Sequence, residues 1–205
     1  MAKNKGLSRP AKVFWGLLAA VFIAIIGIWG YNRYMEKEKV NQLYKHGFRL
    51  YEEQIATYIK ENYSGISKIE FSPIFVDGDG RFTMRTVNVV PVVYDEEGNK
   101  AYLGRKVESI HHVPYGIGAD LTLQFDSFGN EIIELVGQEG VIDVSNYDEL
   151  PDKARRKEDE GLDNNMNTLI KYEKLKNVKK SSQGSPKVYI AYNLEVKQGE
   201  YWKWH

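Results

Sequence analysis

The chain has 205 residues, 28 basic and 28 acidic, and contains no cysteine. Disulfide staples and thiolate chemistry are therefore excluded, and a formal net charge of +0 lacks the clustered positive charge that nucleic acid selects. The length suffices for a single unstapled core.

Residues 1–12 form a basic tail with Lys3, Lys5, Arg9 and Lys12 and no acid. The next nineteen residues, Val13 to Tyr31 (VFWGLLAAVFIAIIGIWGY), carry no charge. At a rise of about 1.5 Å per residue this length crosses a bilayer. Val13, Leu17, Phe22 and Ile25 supply its apolar bulk, and Trp15, Trp29, Tyr31 and Tyr34 sit towards its ends, where aromatic rings favour the headgroup level. A cleaved signal peptide has an apolar core of about 7–15 residues and a small-x-small site. Here the run is longer and no Ala-x-Ala pattern follows, so an uncleaved transmembrane anchor over 13–34 is expected. The tail charge places the N-terminus in the cytoplasm and residues 35–205 outside the cell membrane. Beyond the tail 24 basic residues face 28 acidic ones, and the missing cysteines fit a Gram-positive surface.

From Val40 the apolar residues fall at 40, 43, 44, 48, 51, 55, 58 and 59, the spacing of a helix with one buried face. Glu52, Glu53, Lys60 and Glu61 are expected on its wet side, and Ser64-Gly65 ends it. The period then changes to two. Ile69, Phe71, Pro73 and Phe75 read as a strand, with Pro73 marking an edge or bulge. Asp77-Gly78-Asp79-Gly80 is a turn, and Pro91 demotes part of the run Val87–Tyr94 from a central strand. Asp95 to Asn99 turns the chain into a strand over Lys100–Ile110. Leu121–Phe125 and Glu131–Val136 flank the turn Ser127–Asn130.

Apolar content drops from about Gly137 to Asn167, where the mixed charges of Asp152–Glu160 suggest an exposed insertion. A short helix is expected over Thr168–Val178. Val188, Ile190, Tyr192, Leu194 and Val196 then alternate with mainly polar residues, the pattern of an antiparallel strand with one wet face. Helix first and hairpins after predict an α+β fold, a transmembrane helix followed by a membrane-proximal helix packed on an antiparallel sheet.

Catalytic motifs are lacking: there is no Gly-x-Ser-x-Gly elbow, and Gly116-Ile117-Gly118 has no lysine or strand-to-helix setting for a phosphate. Asp77, Asp79, Asp95, Glu96 and Glu97 could gather around Ca²⁺, but turn chemistry explains them without a cation. His111 and His112 would point to opposite faces of a strand, which disfavours a shared metal. No cofactor and no enzymatic activity is expected. Tyr201, Trp202 and Trp204 are candidate partner-binding residues, since such rings favour interface hot spots; the alternative is that the two tryptophans close the core from one face of a strand.

The segment Tyr58 to Phe71 (YIKENYSGISKIEF) resembles one recurring in small single-pass membrane proteins of Gram-positive bacteria with an outer α+β domain. That group includes TipC-like immunity proteins, which neutralise exported toxins. The resemblance covers the first third of the chain, reaches neither Asp152–Glu160 nor the YWKWH terminus, and carries no functional residue. Together these features lead to the expectation of a membrane-anchored extracytoplasmic module that binds another protein, as an immunity protein does. A structural subunit of an envelope secretion or conjugation assembly is the alternative, with a metal-dependent hydrolase third.

Overall fold

The computed structural model describes residues 9–78, 84–118 and 120–204; in the first helix the side chains of 9–17, 19 and 20 lie outside that description. The elements are α1 (Arg9–Asn62), β1 (Tyr63–Ser64), β2 (Ile66–Phe71), β3 (Ile74–Asp77), β4 (Thr86–Val89), β5 (Pro91–Asp95), β6 (Lys100–Tyr102) and β7 (Tyr115–Gly116). There follow β8 (Leu121–Phe125), β9 (Glu131–Gly137), β10 (Gly140–Asp143), α2 (Glu160–Lys171), β11 (Lys179–Lys180), β12 (Tyr189–Ala191) and β13 (Val196–Gln198). The fold is α+β. By its contacts the chain divides into two units, Met1–Asn41 and Gln42–His205.

Among the described residues no helix is long and apolar enough to cross a membrane. The first half of the anchor segment, with Val13, Trp15 and Leu17, falls on side chains outside the description. In its described half Phe22, Ile25, Trp29 and Tyr31 are 57–64% exposed.

In the second unit α1 behaves as its period requires: Leu43, Phe48, Tyr51, Ile55, Tyr58 and Ile59 are all buried. Gly47 lies where β8 comes closest, and a Cβ there would sit 2.2 Å from Leu123 Cδ2. The expected wet face needs correction at Glu52, which is 0% exposed. The segment leading from β12 to β13 covers it, with Asn193 N–H donating to its carboxylate at 3.2 Å and Tyr192 lying under the Arg49 guanidinium. Burial holds the Glu52 carboxyl well above the ordinary carboxylate range, and its Oε1 has no partner among the described residues. The folded state therefore binds a proton that the unfolded chain releases. Stability contributed by this group is full below the unfolded carboxylate value and falls as pH rises through the folded one. Glu52→Gln removes that loss. It is expected to leave stability unchanged near pH 4 and to raise it at pH 8 by about 1–3 kcal/mol, read from thermal unfolding at the two pH values. A loss at pH 8 would mean the carboxylate is ionised and paired.

β2 and β3 are one strand bent at Ser72-Pro73, and β4 and β5 form its antiparallel partner, with Ile69 opposite Val93 and Phe75 opposite Asn88. At the bend Ser72 N–H donates to the Val90 carbonyl at 3.0 Å, and Val90 N–H donates to the Ser72 hydroxyl at 2.8 Å. Pro73 thus marks an interruption between two strands, and the register shift of this ladder lies at Ile66–Lys68 instead. Pro91 differs from expectation: β5 is central, between β2 and β6. It is tolerated as the first residue of the strand, beside the bend, where the ladder is already interrupted.

The strand orders are β12-β2-β5-β6 and β13-β3-β4-β7, with β8, β9 and β10 as a separate antiparallel meander. The closing alternation buries the expected face, since Val188, Ile190, Tyr192, Leu194 and Val196 all pack against the core. Its direction corrects the expectation, because β12 and β13 run parallel to β2 and β3. Alternation reports which face is covered; the connection that delivers the strand sets its direction.

The charge-rich stretch after Gly137 is not merely solvated. It forms β10 and the start of α2, and Val144, Leu150, Ala154, Leu162 and Met166 are at most 6% exposed. α2 begins at Glu160 because Asp159 caps it, accepting from Leu162 N–H at 2.9 Å. It ends at Lys171 rather than near Val178, ahead of Glu173 and Asn177, whose φ values are 54° and 56°. The strand expected over Lys100–Ile110 stops at Tyr102.

Candidate functional site: a cleft beside helix α2 and the aromatic C-terminus

Tyr201–Lys203 folds as one 3₁₀ turn instead of a strand, so Trp202 and Trp204 part company. Trp202 is 49% exposed and meets Tyr201 edge-on at 5.3 Å, whereas Trp204 packs edge-on against Tyr102 at 6.1 Å. The turn is held by Arg105, whose Nη2 donates to the carbonyls of Tyr201, at 3.0 Å, and Trp204. The guanidinium also lies 4.6 Å from the Tyr102 ring, and Lys100 Nζ lies within 6 Å of Tyr94, Tyr102 and Trp204. A groove of about 360 Å³ runs from Gly104–Lys106 past His111 and His112 to Tyr201 and Trp202. This surface is cationic and aromatic, a combination that interfaces favour.

The same two histidines border a larger cleft, of about 560 Å³, between the loop 110–115 and α2. They lie in a loop rather than a strand, and both line this cleft, contrary to the expectation of opposite faces. Tyr51, Tyr115, Leu162 and Asn165, none more than 8% exposed, form its inner wall. Asp120 and Asp159 close one end. They are held by Arg156, whose Nη2 lies 3.0 Å from Asp120 Oδ1 and whose Nη1 donates to Asp159 Oδ2 at 2.5 Å. The guanidinium Nε–H donates to the Val136 carbonyl at 2.9 Å, so the fork is held by two hydrogen bonds and by the ion pair with Asp120, where Nη2 makes no hydrogen bond among the described residues. Burial, helped by the Asp120 charge, pushes the Tyr51 phenol up, and burial does the same at Tyr115; burial lowers His112. These groups are neutral at pH 7, hydrogen-bonding rather than charged.

Asn165 Nδ2 donates to the Tyr115 hydroxyl at 3.4 Å, and its Oδ1 has no partner among the described residues. His112 Nε2 is likewise buried and unpartnered. Sequence reasoning passed over Asn165, although a signal was present: it lies three residues after Leu162 and four before Leu169, on the apolar face of α2. An amide on a buried helix face is a candidate for recognition.

The acidic turns behave as turns. Asp95 accepts from the backbone N–H groups of Glu97, Asn99 and Lys176 and from Asn99 Nδ2, which occupies its carboxylate with donors. Asp77 accepts from Gly78 N–H, and Asp79 lies outside the described residues. Among the described residues no group of three His, Asp or Glu side chains could hold a metal ion.

No family model, no curated protein and no solved structure matches the chain.

Proposed function

We propose that the protein is a membrane-anchored, extracytoplasmic module that binds another protein, with the basic tail in the cytoplasm and residues 35–205 outside. The observation that carries this reading is the described part of the apolar segment. Val21, Phe22, Ile23, Ile25, Ile26, Ile28 and Trp29 are each 56–71% exposed, on all sides of α1. A contiguous apolar surface of this kind needs a cover, and lipid supplies one on every side. Arg33 over the Trp29 ring, at 5.3 Å, suits the headgroup boundary. The exposed Trp202, backed by Arg105 and Lys106, is the partner face. The likeness of Tyr58–Phe71 to small single-pass membrane proteins of Gram-positive bacteria, a group that includes TipC-like immunity proteins, makes neutralisation of an exported toxin the favoured version.

The absence of cysteine allows a direct topology test. A lone cysteine introduced by Ser182→Cys is expected to react with an impermeant maleimide on intact Gram-positive cells, and one introduced by Ser8→Cys only after permeabilisation. The reverse pattern would end the proposal. Trp202→Ala is expected to weaken capture of the protein partner by about 2 kcal/mol or more, measured by titration of the purified pair.

A further inference from the structure

We propose that the cleft between loop 110–115 and α2 binds an uncharged, hydroxyl-rich ligand, a saccharide unit. The reading is independent of the anchor and of the protein partner. The cleft volume of about 560 Å³ lies within the ~300–1,000 Å³ of small-molecule sites.

Its lining selects the ligand by charge and by hydrogen-bond character. The two acids at one end, Asp120 and Asp159, are already bound by Arg156, and Lys171 adds one positive charge at the rim. Two acids and two bases leave no surplus charge to attract an ion. The remaining polar lining consists of amides, hydroxyls and imidazoles: Asn164, Asn165 and Asn167 with Thr168, the two inner tyrosines and the two histidines. Each of these both donates and accepts.

Two residues of this lining carry a buried atom without a partner, Asn165 at Oδ1 and His112, which also borders the neighbouring groove, at Nε2. Asn165 is 1% exposed, so an unpaired end of its amide carries a real cost. Whichever end of the amide meets Tyr115, the other is left over, and the same holds for the tautomers of a neutral imidazole. A hydroxyl donates and accepts, so it satisfies either arrangement; a carboxylate or an ammonium satisfies only one. Several hydroxyls on one small ring meet several ambivalent groups at once, while Ile110, Val113, Pro114 and Leu162 offer apolar surface to its C–H faces.

The test uses the full chain in lipid nanodiscs, free of sugar-headed detergent, titrated with N-acetylglucosamine, glucose and galactose and followed by saturation-transfer NMR. Saturable binding of at least one of these with a Kd of about 1 mM or tighter is expected. Glucuronic acid and glucose 6-phosphate are expected to bind at least about tenfold more weakly, as is the neutral sugar to Asn165→Leu, which keeps the shape and removes the amide. Phe128→Ala, at the exposed turn between β8 and β9, should leave binding unchanged. Should Asn165→Leu fail to fold, Asn164→Ala and Thr168→Val, both towards the cleft mouth, carry the same expectation of weakened binding. The proposal is overturned if none of the three neutral sugars binds, if the charged sugars bind as tightly, or if the folded amide and hydroxyl variants bind as the natural chain does. Maleimide labelling on cells reports on the anchor separately, so either reading can fail alone.

Discussion

Asp95→Ala is expected to destabilise the Gln42–His205 unit by about 3–4 kcal/mol, read as a fall in the unfolding midpoint of the full chain. Asp95 is 0% exposed, and its carboxylate collects four donors: the N–H groups of Glu97 (3.0 Å), Asn99 (2.8 Å) and Lys176 (2.7 Å) and the Asn99 amide (2.8 Å). Two belong to the backbone of the β5–β6 turn, and one ties the chain after α2 to that turn. Alanine leaves all of them without an acceptor where water has no access to the missing group. These donors hold the Asp95 carboxyl below the ordinary carboxylate range in spite of burial. Its contribution is therefore present above the unfolded carboxylate value and is lost as pH falls through the folded one, so the deficit of Asp95→Ala should shrink in acid. Asp126 makes the same turn between β8 and β9, accepting from Phe128 N–H, Asn130 N–H and the Asn130 amide, but on an exposed surface. Asp126→Ala is expected to cost only a small fraction of the Asp95→Ala loss, because water replaces the acceptor. Equal losses would show that the turn, and not burial or the link to Lys176, sets the cost.

Arg156→Met is expected to cost about 3–5 kcal/mol, the range for breaking a buried ion pair from one side. The Arg156 and Asp159 side chains are each 9% exposed, and Asp120 is 34% exposed. Methionine keeps much of the packed stem but leaves two carboxylates facing each other at the end of the cleft, with the Val136 carbonyl losing one of its donors. Arg156→Lys should recover little, since a single ammonium cannot span Asp120, Asp159 and Val136 as the planar fork does. Adding Asp120→Asn to Arg156→Met should return part of the loss, since it removes one of the two uncompensated charges. Simple addition of the two single effects would argue against coupling. Asp159 is a poorer site for rescue because it also caps α2 through Leu162 N–H.

Patterns confined to one element were legible in advance. The three-and-four spacing from Leu43 to Ile59 named the buried stripe of α1, and the Asp95–Asn99 and Ser127–Asn130 turns placed two hairpins. The alternation from Val188 to Val196 named its core-facing side chains. Each follows from the period of a helix or strand and from turn chemistry, which act over a few residues. Part of the fold stayed hidden because apolar signals there are sparse: Val144, Leu150 and Ala154 are single buried contacts among charges, so composition alone made that stretch read as solvent-facing.

The candidate site was the least legible part, because it is assembled from distant pieces. Tyr51 comes from α1, Ile110 to Tyr115 from a loop and the edge of β7, Asp120 from the residue before β8, and Asp159 to Lys171 from α2 and its cap. The sequence by itself determined the uncharged run Val13–Tyr31, the basic tail before it and the helix-then-hairpin order of an α+β chain. Only the tertiary structure decided that Glu52 is covered, that the last strands run parallel, that Trp202 is exposed while Trp204 packs on Tyr102, and that Asn165 Oδ1 lacks a partner at a cleft. The reason is physical: periodicity reports which side of an element is shielded, whereas what shields it, and from which direction, depends on chain a hundred residues away.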